Sequence, residues 1–414
     1  MVVRKDGAAA RRGSVTAVRG PDWAARLPAG LVYLAIAAVA LVPSHPVWMI
    51  AYLGLTLIGL AALATDVGLR RQVFGDPTWR LALIGFVIVL GWQIVSLIGR
   101  GDVASGRTWG EAASSVSVFA YGLVILAARR RHPGFARDVL VVAAFVIALG
   151  VAIAAILQFG LHIGFNERLY LYGRANNPST ASTTIAFGVG AAAFAALAAQ
   201  GRLRAALIAA LLVNLIGLAL TQSRGPITDI VLAGAVVVVA SRLRPDIRPL
   251  GTVIATVCVL AIPLGLVLSE PLLHHALTSV CAGASGQSVC RPSYRFDIWQ
   301  AALASIAAHP WFGAGPFAIL DGKGNHPHNG YLVLAFYFGI PAAIGYVLVI
   351  LNSYAAALRG FAAPLKRFAL FGIVFAMLYM MTDLSNTFSF INTYYLFLWL
   401  PIFLALPAGD GTDA

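Results

Sequence analysis

Charge is scarce in this chain. Only 11% of its 414 residues are charged, against about 25% in an ordinary soluble domain, and 60% are apolar, so a soluble globule is excluded. Acid is scarcer than base, with 16 Asp and Glu against 29 Lys and Arg. Cysteine is limited to Cys258, Cys281 and Cys290. There is no internal repeat and no second soluble domain.

What fills the sequence instead is a succession of apolar runs of the length that crosses a bilayer core. Bounded by charge or by Pro and Gly, twelve fall near 27–42, 47–64, 81–98, 111–128, 138–159, 181–200, 205–221, 227–241, 250–269, 329–352, 368–382 and 391–406. The expected fold is an all-α polytopic membrane protein of about twelve spans. Its parts are a basic tail at 1–26, spans one to nine within 27–269, a long loop at 270–328, spans ten to twelve within 329–406, and a tail at 407–414.

Numbered alternately from an inside start, the outer loops hold Arg100, Arg107, Arg168, Arg174, Arg224, Arg291, Arg295 and Lys323, and the other 21 basic residues lie inside. Cytoplasmic loops are the ones enriched in Lys and Arg. Both termini are therefore expected in the cytoplasm, and the net charge of +13 is a topology signal that calls for no nucleic-acid partner. No small-x-small cleavage site follows the first apolar run, which reads as an uncleaved span.

The outer loop at 270–328 is far longer than the rest, and loops of this length are usually functional or disordered. Within it, residues 293–309 place Phe296, Trp299, Leu303 and Ile306 at helical spacing, which predicts an amphipathic helix. Pro310 ends that helix, and Trp311 to Pro316 reads as a turn. Cys281 and Cys290 share the loop, and in an oxidising compartment they are expected to form a disulfide. Cys258 reads as a small packing residue within a span. His326 and His328 invite a metal reading with Asp321 or His309, but His-x-His without clear further ligands is weak, and the outer loops offer no Asp-x-Asp or Glu-Asp pair. No metal or cofactor is expected.

Imposing this topology singles out three residues. Arg224, in Thr221-Gln-Ser-Arg-Gly-Pro226, sits in a short outer turn at membrane depth, where charge is expensive and usually functional. It is either a snorkelling residue, a partner for Asp229, or, beside a helix whose first position is Pro226, part of an anion site. Arg295 begins the loop helix near Asp297 and Trp299, as a salt-bridge partner, an interfacial anchor, or a second ligand to the same anion. His328, in Asn325-His-Pro-His-Asn-Gly-Tyr-Leu332, precedes the outward amide end of the tenth span, as a cap or as a general base. Asn329 is the better cap. If His328 is not the base, Asp297 and Asp383 are the carboxylates to consider.

Taken together, Ser223-Arg-Gly at the outer end of a span, Arg295 followed by Trp299 and the Pro310 to Gly315 turn, His328-Asn-Gly-Tyr-Leu332, and Phe338-Gly-Ile-Pro341 resemble the O-antigen ligase and polymerase superfamily of bacterial envelopes. The resemblance covers roughly residues 205–350. It implies a GT-C-like fold in the inner membrane and an active site facing the periplasm. The reaction implied is transfer of a glycan from undecaprenyl diphosphate to an acceptor hydroxyl, on lipid A-core in a ligase or on a growing polysaccharide in a polymerase. By matching positions, Arg224 and Arg295 would bind the donor diphosphate and His328 would activate or orient the acceptor. With no soluble domain after the last span, protein glycosylation is the less expected branch. A transporter or glycan flippase is the reading of a different class. Transporters place polar sites at the midplane of broken helices, whereas the distinctive residues here gather at the outer face.

Overall fold

A computed structural model describes residues 22–101, 106–162, 168–269, 295–316, 318–320, 326–384, 388 and 391–409. Cys281, Cys290, Asp321, Lys323 and Asn325 lie outside the described residues, as does the basic tail to Pro21. Regular structure among the described residues is helical throughout. The order is α1 (Asp22–Ala40), α2 (His45–Thr65), α3 (Val67–Gly75), α4 (Pro77–Gly99), α5 (Gly106–Arg131), α6 (Phe135–Ala155) with a π turn at Ile156–Gly160, α7 (Pro178–Ala198) and α8 (Gly201–Leu220). It continues through α9 (Arg224–Arg242), α10 (Arg248–Leu268), α11 (Arg295–Ala308), α12 (Gly330–Phe338), α13 (Ile340–Arg359), α14 (Pro364–Thr382), a π turn at Tyr395–Trp399 and α15 (Leu400–Ala405). Among the described residues ten helices are long and apolar enough to cross a membrane, and two shorter apolar helices cover Arg26–Ala40 and Tyr395–Ala405.

Small residues let these helices approach closely. Where α4 crosses α13, a Cβ on Gly85 would stand 2.7 Å from the Gly345 carbonyl oxygen, and one on Gly345 would stand 2.8 Å from that of Gly85. With lipid on the outside there is no hydrophobic drive between spans, so this close packing is a main source of helix association. Aromatic rings fill the interior beside the crossing, with Phe86 5.6 Å from Trp399 and 5.8 Å from Phe403 between ring centroids.

Three sequence expectations are corrected. The run read as a single tenth span is two helices, because Gly339 lies at φ +96°, ψ 165° between Phe338 and the Ile340-Pro341 start of α13. That backbone region is open essentially to glycine alone, and proline at the start of a helix suits the restart. On α11 the buried face is Trp299, Ala302 and Ile306, whereas Leu303 is 55% exposed. Cys258 is exposed on α10 instead of packed.

The Gly339 break is held by the turn after α11. Ala314 N–H donates to the Phe336 carbonyl at 2.7 Å, Gly315 N–H to Tyr337 at 3.1 Å, and Ile340 N–H to Pro310 at 2.8 Å. The first two bonds satisfy carbonyls that the end of α12 leaves open. A Cβ on Gly339 would meet the Trp311 carbonyl oxygen at 2.1 Å. Gly339→Ala should therefore lower stability by about 1–3 kcal/mol from backbone strain alone. A thermal unfolding midpoint equal to that of the parent in purified protein would contradict this.

At the opposite end of the bundle, two buried cations close the last helix. Arg129 Nη1 donates to the Leu406 carbonyl at 2.6 Å, and Lys366 Nζ donates to Ala405 at 2.8 Å. Positive side chains at a helix C-terminus satisfy open carbonyls and oppose the dipole. Arg129, which the sequence offers only as a topology marker, thus also has a packing role.

Candidate active site

Helix α8 ends at Leu220, and the chain reverses through Thr221, Gln222 and Ser223 into α9. Gln222 has φ +53°, the left-handed region. Arg168, from the segment before α7, secures the reversal: its Nε donates to the Thr221 carbonyl at 2.8 Å and its Nη2 to Ser223 Oγ at 2.8 Å. Arg224 opens α9 with Ser223 as N-cap, so Pro226 stands in the first turn and not at the first helical position. Arg224 is exposed. It makes no ion pair with Asp229, which is buried at 3% exposure.

Across from this turn, α11, the segment before α12 and α7 converge on Asp383 at the C-terminal end of α14. Its Oδ1 accepts from Arg295 Nη2 at 3.3 Å and lies 3.3 Å from His328 Nδ1. Its Oδ2 accepts from Ser179 Oγ at 2.5 Å and from Tyr379 Oη at 3.5 Å. Burial would push this carboxyl up. The bonds from His328 and Ser179 and the charge of Arg295 outweigh burial and hold it below the usual carboxylate range. An ionised carboxylate can only accept, so His328 Nδ1 carries the proton shared between them. In the neutral ring, Nε2 is then the acceptor.

His328 is itself held in the left-handed region, at φ +48°. Strained backbone of this kind gathers at functional sites. Its carbonyl accepts from Arg295 Nη1 at 3.1 Å. Next in the chain, Asn329 caps α12, its side chain accepting from Tyr331 N–H at 2.9 Å and Leu332 N–H at 3.1 Å. Capping and chemistry are thus divided between neighbours.

Together these elements enclose a cleft of about 420 Å³, lined by Arg168, Ser179, Arg224, Arg295, Tyr379 and Asp383 among others. Residues 209–347 match the family model described as O-antigen ligase. Over that stretch, about a third of the chain, the sequence is similar to the O-antigen ligase family. No curated protein matches the chain. The matched segment contains Arg224, Arg295, His328 and Asn329, of which Arg224 and Arg295 line the cleft, and Arg168, Ser179, Tyr379 and Asp383 line it from outside the segment.

Three guanidinium groups against one carboxylate leave the cleft positive, suited to an anion of more than one charge. Asp297 is exposed on α11 and does not line the cleft. Arg295 pairs with Asp383 and not with its near neighbour in sequence. Arg168 was legible only as one of the outer basic residues, and Ser179 and Tyr379 gave no signal, because their role comes from meeting Asp383. Among the described residues no three His, Cys, Asp or Glu side chains form a metal cluster.

His326 packs its ring 3.9 Å from that of His328. Burial and the neighbouring His328 push it down from the ordinary 6.5 to about 4. A depressed imidazole means that the unfolded chain binds more protons between those values, so folding stability falls as pH drops through that window. His326→Asn should flatten the dependence of the unfolding midpoint between pH 6.5 and 4. An unchanged slope would show that His326 does not contribute to it.

Proposed function

We propose that the protein transfers a glycan from an undecaprenyl-diphosphate carrier to an acceptor sugar hydroxyl at the periplasmic face of the inner membrane, as an O-antigen ligase. The observation that carries this reading is Asp383, which lines a cleft with three arginines and is bonded to His328 beside it. Asp383 holds the His328 ring with Nδ1 protonated, leaving Nε2 to take the proton of the acceptor hydroxyl. The freed oxygen forms a bond to the anomeric carbon of the donor sugar. The bond from that carbon to the diphosphate breaks, and its electron pair leaves with the lipid diphosphate.

Negative charge grows on that leaving group, and Arg224 and Arg295 stand where paired N–H groups can receive it. Guanidinium groups bind phosphate oxygens bidentately. A preorganised donor of this kind contributes on the order of 3 kcal/mol in the transition state. Arg168 keeps the turn that carries Arg224 in place.

The test is a transfer assay on the purified full-length protein with a lipid-linked glycan and alternative acceptors. Glycosylation of lipid A-core supports the ligase reading. Growth of the lipid-linked glycan itself would make the protein a polymerase, and movement of the donor across the membrane without its consumption would make it a flippase. The orientation is tested separately: a cysteine placed at Asn325 should label from outside and one at Arg367 should not. The reverse pattern would put the cleft on the wrong side for this reaction.

A further inference from the structure

The end of the bundle away from the cleft contains a second cavity, of about 620 Å³, with no part in the reading above. It lies where α2 passes into α3, against the end of α5 and the segment after α15. Arg71, Arg130 and Arg131 line it, with Asp66 as the one carboxylate among its described lining residues. Arg131 is already committed to Asp66, Nη2 to Oδ2 at 3.1 Å. Arg130 shares the field of the same carboxylate without a direct ion pair to it, and Arg71 forms no salt bridge to Asp66.

Two glycines keep this cavity open. A Cβ on Gly68 would stand 2.4 Å from Arg130 Nη2, and one on Gly409 would stand 3.3 Å from Arg130 Nη1 and from Gln72 Oε1. Gly409 is at φ +106°, where side chains are disfavoured. The guanidinium of Arg130 is thus laid along the wall by backbone that carries no side chain of its own.

The surroundings of the cavity are apolar on one side. Helix α3 buries Leu69 and Val73 and exposes Val67 and Phe74, each 51%. Leu60 of α2 and Leu81 of α4, on either side of α3, are also exposed. A short helix with an apolar outer edge, set between the ends of two candidate spans, belongs at the membrane–water boundary. The cavity therefore opens at the depth of lipid headgroups.

We propose that this cavity binds the phosphate of an anionic membrane lipid, with the Arg71 and Arg130 guanidinium groups on the phosphate oxygens and Arg131 held back by Asp66. Its size suits a headgroup, and basic pockets between spans are a known form of headgroup recognition. The charge asymmetry of the loops puts this end in the cytoplasmic leaflet, so the site is separate from the catalytic cleft and does not depend on the transfer reaction.

The experiment is native mass spectrometry of the detergent-purified full chain titrated with phosphatidylglycerol or with phosphatidylcholine. The parent should retain phosphatidylglycerol in preference. Arg71→Gln with Arg130→Gln should weaken that retention about 30-fold, at roughly one surface charge contribution per arginine. Arg71→Lys with Arg130→Lys, which keeps the charge, should stay much closer to the parent. No preference in the parent, or equal retention by the Gln variant, would overturn the proposal. Displacement of the lipid by inorganic phosphate at matched concentration would also overturn it, by making the site one for a soluble anion.

Discussion

Replacing His328 with Ala should lower glycan transfer by about 100-fold to 10,000-fold, the range expected when a general base is removed, while the lipid-diphosphate donor still binds. The geometry gives the reason for that division. The His328 ring is oriented by Asp383 through Nδ1 at 3.3 Å, and the arginines proposed to bind the donor remain when the ring is gone. His326→Ala, two residues away, should be far milder, because His326 is in contact with the His328 ring but has no bond to Asp383 among those formed by the carboxylate. Rates and donor affinities measured together on the purified variants decide the matter. Full transfer by the His328 variant would leave Asp383, already in the cleft, as the next base to test and would reduce His328 to a structural residue before α12.

Arg295→Ala should lower transfer by at least about 100-fold to 1,000-fold, the usual cost of losing one preorganised donor, and by more than Arg224→Ala does. Arg224 is exposed at the lip of the cleft. Arg295 also ties the His328 carbonyl at 3.1 Å to Asp383 at 3.3 Å, so its loss disturbs the base as well as the anion site. Removing one partner of a half-buried charge pair leaves the other without compensation. The two Lys variants separate charge from geometry. Lysine keeps the charge but has no planar fork, so Arg295→Lys should recover only a small part, since one ammonium cannot reproduce the two separate bonds. Arg224→Lys should recover more. If both Lys variants work at the parent rate, recognition by guanidinium forks is wrong and these residues act as interfacial anchors.

Local pattern determined much of this protein. Scarcity of charge together with runs of apolar length specifies an all-helical membrane chain, because a backbone in lipid must satisfy its own hydrogen bonds within each segment. Uneven placement of Arg and Lys marks which ends of the spans share a side. Arg224 and His328 were legible because each stands beside a recognisable span end, and Arg295 because it opens the amphipathic loop helix; Asn329 next to His328 announces a cap. Gly339 and Pro341 were visible too, but inside an unbroken apolar run they did not reveal two helices.

Convergence was decided by tertiary structure alone. Arg295 and Asp383 are 88 residues apart, and Ser179 and Asp383 are 204 apart. Hydropathy and helical spacing report on neighbours within a turn or two and carry no information about which distant span ends meet. Only the packing of α7, α11 and α14 around one carboxylate turns Asp383 from a fallback base into the group that orients His328. It likewise turns Arg168 from one outer charge among eight into the support of the Arg224 turn. The physical cause is the cost of burying a charge without partners: a carboxylate half-enclosed at a span end is kept there by the donors the fold assembles around it, and those donors need not be near it in the chain.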